Sequence, residues 1–131
     1  KRKTHDIYLK GNAMNIIFGD ALDSLPSNYT VLELDTFVLP PDHKKVTSYC
    51  VIEKIPLQDF PVLESYKKVH VDLIQAYRDQ NWEYCEYAIK GLMGRWNGEA
   101  DSFYDNLLTR VQQCKNSAPG DYWTGYIDKT V

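Results

Sequence analysis

Long apolar runs, an excess of positive charge and closely paired cysteines are all missing from this 131-residue sequence. A bilayer span needs about 18 or more consecutive apolar residues, so no segment is expected to cross a membrane. The first ten residues are polar and do not read as a signal peptide. Lys plus Arg number 15 against 18 Asp plus Glu, a formal net charge of −3. That balance argues against the basic footprint of a nucleic-acid binder. Cys50, Cys85 and Cys114 are odd in number and widely spaced, so neither a zinc site nor a disulfide framework follows, and a reduced, cytoplasmic setting is the simplest expectation. The nucleophile elbow, the HExxH helix, the phosphate loop and the dinucleotide fingerprint do not occur. Catalysis has no motif to rest on, and no cofactor is expected.

What is present is ordinary globular material, 44% hydrophobic and 25% charged. The length fits a single domain, 1–131, mainly β over 1–55, helical over 56–116 and extended over 117–131. The chain opens Lys1-Arg2-Lys3-Thr4-His5 without a Met. It is therefore read as a C-terminal piece of something longer or a chain whose start is not included.

The first 55 residues are rich in β-branched and aromatic residues broken by turn chemistry. Segments 6–10 and 13–18 flank Gly11-Asn12, a two-residue hairpin turn by its residue types. The strongest strands are expected at Thr30–Leu39 and Lys45–Ile55. Between them Pro40-Pro41-Asp42-His43-Lys44 cannot continue a ladder, because proline lacks the amide donor. Strict alternation would place Leu32, Leu34, Thr36 and Val38 on one face, with Val31, Glu33, Asp35, Phe37 and Leu39 on the other.

From Pro56 the period becomes helical. Leu63, Tyr66, His70, Leu73, Ile74 and Tyr77 form one apolar stripe. Asn81 is placed to cap a second helix that buries Trp82, Cys85, Ala88, Ile89 and Leu92 and ends at Asn97-Gly98. A third helix, about Glu99 to Gln113, would bury Phe103, Leu107, Leu108 and Val111. The first two helices have a tetratricopeptide-like rhythm, with Tyr77 and Ala88 where such repeats keep an aromatic and a small residue. One unit cannot stand alone as a solenoid. Strands first and helices after give an α+β fold: an N-terminal antiparallel sheet, a helix pair, a third helix and a short C-terminal extended segment.

Three groups invite a chemical reading. Glu33 and Asp35, two apart on a strand, would point the same way and could hold an ion or divide acid and base roles; a solvated strand face outweighs that. His70 on an apolar stripe is a hydrogen-bonded core histidine before it is a base, and Cys85 is a small core hydrophobe before it is a nucleophile. Aromatics, at 13% with ten Tyr and three Trp, are the unusual feature. Trp96, Tyr104, Tyr122, Trp123 and Tyr126 are the candidate interaction surface, since amphipathic rings are enriched at protein contacts. The same rings could instead fill gaps between sheet and helices with their polar tips wet. Tyr122-Trp123-Thr124-Gly125-Tyr126 is expected to fold back as a latch.

Leu32-Glu33-Leu34-Asp35, Val38, Lys44-Lys45-Val46 and the stretch from Tyr49 to Glu53 resemble the end of a bacterial class III adenylate/guanylate cyclase catalytic domain. Tyr77, Trp82, Ala88, Leu92, Asp101, Tyr104, Arg110, Cys114, Pro119, Asp121, Trp123, Gly125 and Lys129 then follow the order of the helical tail many such cyclases carry. The resemblance covers about residues 30–131. The family's metal-binding aspartates, purine-selecting pair and transition-state Asn and Arg have no counterpart, and Pro40-Pro41-Asp42 stands in place of the turn Gly. The resemblance thus implies a terminal module without its active site. The expected function is a non-catalytic regulatory or interaction module that meets a protein partner or forms a homodimer, with no nucleic acid and no membrane. The alternative is an enzyme, either a small hydrolase with an acidic site at Glu33 and Asp35 or a C-terminal fragment of a cyclase-like enzyme.

Overall fold

Two strands joined by four residues organise the molecule. In the computed structural model, which describes residues 14–26, 29–53, 55 and 57–130, β2 (Thr30–Leu39) and β3 (Lys44–Ile52) form an antiparallel hairpin. The proline-containing loop closes it, with Leu39 paired to Lys44. β1 (Ile16–Phe18) adds antiparallel to β3, pairing Ile16 with Cys50 and Phe18 with Ser48. β4 (Ile127–Asp128) borders β2 on the other side and runs parallel to it, so the sheet is mixed, in the order β1-β3-β2-β4. The expected strand at 6–10 and the turn at Gly11-Asn12 lie outside the described residues.

The face assignment for β2 needs correcting. Glu33 pairs with Tyr49, but the next pair is Thr36 with Thr47. Leu34 and Asp35 together therefore oppose Ser48, a β-bulge. The extra residue shifts the phase of the alternation. Leu32, Leu34 and Phe37 all reach the core, although simple alternation puts Phe37 opposite the two leucines. Ser48 fits the bulge because it is small and bifunctional. Its Oγ accepts from the Asp35 N–H and donates to the Asp35 carbonyl, each at 3.3 Å.

Behind the sheet lie α1 (Leu63–Arg78), α2 (Trp82–Leu92) and α3 (Asp101–Asn116). Asn81 caps α2 as expected, its Oδ1 accepting from the Tyr84 N–H at 3.3 Å. α2 ends earlier than expected, at Leu92, because Gly94 already takes a left-handed conformation (φ +82°). Trp96, Asn97 and Gly98 then form a left-handed turn, φ 55°, 56° and 73°. Two of these residues are not glycine, and each left-handed non-glycine residue costs roughly 1–2 kcal/mol. Packing must compensate for that strain.

It does so through one core cluster. Leu73, Ile74 and Tyr77 of α1, Cys85, Ala88, Ile89 and Leu92 of α2, and Phe103, Leu107 and Val111 of α3 join the sheet residues in it. The chain is an α+β protein. Among the described residues, no helix is long and apolar enough to cross a membrane.

Candidate functional site

Trp96 and Tyr104 are not on the surface. Both are fully buried, Trp96 at 2% exposure and Tyr104 at 0%, and they belong to a hydrogen-bond relay that explains why. The His70 Nε2 lies 2.6 Å from the Glu33 carbonyl oxygen. A carbonyl only accepts, so Nε2 carries the proton, and in the neutral ring Nδ1 is the acceptor. At 2.9 Å from Nδ1 is the Tyr104 hydroxyl, whose oxygen in turn accepts from the Trp96 indole N–H at 2.9 Å. The direction runs from Trp96 through Tyr104 to His70 and on to β2. Every buried polar atom in the relay is satisfied, which is what makes its burial tolerable. Burial holds the His70 pKa below its usual value, against the opposing pull of the Glu33 carbonyl bond and carboxylate. Desolvation favours the neutral imidazole, and the geometry then sets its tautomer, with the proton on Nε2.

The two carboxylates of β2 are not a pair. The bulge breaks the alternation that would set them side by side, and each meets a different arginine. Glu33 accepts from Arg78 Nη2 at 2.9 Å, and the same nitrogen donates to Thr36 Oγ1 at 3.3 Å. Asp35 is bound in bidentate fashion by Arg110, Nη1 to Oδ1 and Nη2 to Oδ2, both at 3.1 Å. Arg110 Nε donates to Asn106 Oδ1 at 2.9 Å, and the guanidinium lies over the Tyr77 ring at 5.6 Å. The Asp35 side chain is only 3% exposed, so the arginine offsets a carboxylate that burial alone would penalise. Arg78 lies outside the apolar stripe of α1, and Arg110 enters the sequence analysis only through family order. No local signal marks either, because their partners lie 45 and 75 residues away.

The tail does fold back. The Trp123 ring stands edge-on to Tyr77 at 5.2 Å and to Trp82 at 5.6 Å. Its indole N–H donates to the Arg78 carbonyl at 3.0 Å. Gly125 (φ +79°) passes so close to α1 that a Cβ there would lie 3.0 Å from Arg78 Cγ; only glycine suits both constraints. Tyr126 is partly buried, with Lys45 Nζ and Arg78 Cζ at 5.3 and 5.7 Å from its ring centroid. Tyr122 is the opposite case, 96% exposed beside the anchored Trp123. Of the five aromatics singled out from the sequence, Tyr122 alone is a freely presented ring. Tyr87 on α2, outside those five, is a second exposed ring at 71%.

The cysteines are not poised for nucleophilic work. Burial pushes the Cys50 and Cys85 thiols up to about 12, and Cys114 is raised as well. Low thiolate content at neutral pH makes them inert. Among the described residues, no group of three or more His, Cys, Asp or Glu is arranged to hold a metal ion. Comparison with family models, with curated proteins and with solved structures returns no match.

Proposed function

We propose that the chain is a non-catalytic regulatory or protein-interaction module. One observation carries this reading: the groups that could do chemistry are each committed to holding the fold together. Glu33 binds Arg78, Asp35 binds Arg110, and both nitrogens of His70 are engaged by Tyr104 and β2. Arg110 holds both oxygens of Asp35, and Glu33 shares Oε2 with Arg78, so using either carboxylate to move a proton or take a metal would break a tertiary contact. Tyr122 supplies the second half of the argument. Its neighbour Trp123 is fixed between Tyr77 and Trp82, so the exposed ring sits on a rigid support. Docking onto a preorganised aromatic loses less conformational entropy than docking onto a free tail.

The test is a thermal melt of the chain and of Glu33→Gln, with and without Mg²⁺, Mn²⁺ and ATP or GTP. The module reading expects a lower melting temperature in Glu33→Gln that is the same in every condition. A metal- or nucleotide-dependent rise in the unaltered chain that vanishes in Glu33→Gln would replace it with the acidic-site enzyme.

A further inference from the structure

The outer face of α2 carries a large exposed ring between groups of opposite charge. Glu83, Tyr87, Lys90 and Gly91 are all exposed and fall on one side of the helix, away from its buried Cys85, Ala88, Ile89 and Leu92. Glu86 is drawn to Lys115 of α3 at 3.0 Å, so Lys90 lacks the carboxylate four residues earlier that would ordinarily engage it. Neither Glu83 nor Lys90 has an ion-pair partner among the described residues. A Cβ on Gly91 would meet nothing within 4 Å. The face therefore presents a negative charge, a large ring, a positive charge and an open notch, in that order along the helix.

We propose that this face pairs with the same face of a second copy, the two helices antiparallel about a two-fold axis at Tyr87. This deepens the reading of the chain as an interaction module and rests on it. In that arrangement Glu83 of one copy lies level with Gly91 of the other and within a residue of its Lys90, so the negative end of each face runs beside the positive end of the other. Side chains on a helix lean toward its N-terminus, which carries each Tyr87 ring over the turn at Glu83 and Tyr84. That is the level at which the second copy offers Gly91, and the missing side chain leaves room for the ring. The charge order is its own complement under this symmetry, which makes a second copy a fitting occupant. A parallel pair would set Glu83 against Glu83.

One short helix per copy buries less than the roughly 1,000 Å² of a stable interface, so the dimer is weak, with an expected Kd on the order of 100 µM. Sedimentation equilibrium of the chain from about 10 µM to 1 mM brackets that value. Glu83→Lys and Lys90→Glu are each expected to weaken association by about tenfold or more, since two attractive pairs become repulsive. The double variant restores it. Gly91→Ala raises the melting temperature of the monomer, as alanine does in an open helical position, yet weakens association by filling the notch. A wild-type chain that stays monomeric throughout, single charge variants that associate normally, or a double variant that does not recover would each overturn the pairing. The module reading fails separately, through the metal- or nucleotide-dependent melt described above.

Discussion

The Trp123 indole donates to the carbonyl of Arg78, the last residue of α1. The last four carbonyls of a helix have no partner inside it, so the tail supplies one while its ring packs on Tyr77 and Trp82. Trp123→Ala is expected to lose about 2–4 kcal/mol, somewhat under the range for a fully buried tryptophan, because the ring is only partly buried. Urea unfolding measures it. An unchanged midpoint would show that the tail is not held.

Tyr104 sits at the centre of the buried relay, and its hydroxyl serves two partners. Tyr104→Phe keeps the ring and removes that hydroxyl, leaving the Trp96 N–H and the His70 Nδ1 both unsatisfied in the core. The expected loss is about 2–5 kcal/mol, since each stranded buried group costs roughly 1–3. Adding Trp96→Phe to that variant should cost much less than the sum of the two changes.

Stability should fall in mild acid. His70 is held neutral by burial in the folded protein, whereas in the unfolded chain it takes a proton near its ordinary value of about 6.5. Below that pH the unfolded state binds more protons, so stability is lost as pH drops from about 6.5 toward the lowered folded value. Protonating Nδ1 would also turn it into a second donor onto the Tyr104 oxygen. Denaturant midpoints measured between pH 8 and pH 5 should decline in the unaltered chain and flatten in His70→Gln.

Breaking the Asp35–Arg110 pair from one side strands a charge in a nearly closed site. Arg110→Ala is expected to cost about 2–4 kcal/mol, below the upper range for fully buried pairs, because the Arg110 side chain is 20% exposed. Asp35→Ala should cost a similar amount. In the double variant the penalties should combine to well under their sum, a coupling read from a four-member unfolding cycle.

Most of the element order was legible because it depends on short-range pattern. The helical stripe from Leu63 to Tyr77, the Asn81 cap and the proline break after Leu39 are each decided within a few residues, and the structure follows them closely. Two kinds of feature were not legible. The bulge at Leu34 and Asp35 depends on which residue of β3 lies opposite, and a one-residue shift there moves Phe37 to the core. The exposure of an aromatic depends on partners far along the chain. Trp96 and Trp123 look alike in composition, yet one is sealed by a left-handed turn against Tyr104 and the other rests half-covered beside α1. Gly125 gave no sign that it passes against Arg78.

The parallel pairing of Phe37 with Ile127 also sets the order of events at the ribosome. The two residues are separated by about 90 positions, which at about 5–20 residues per second are translated over roughly 5–20 seconds. For that interval the edge of β2 at Phe37 and Val38 has no strand beside it. A nascent chain held in this waiting state is open to capture by a chaperone or by the strand of another polypeptide.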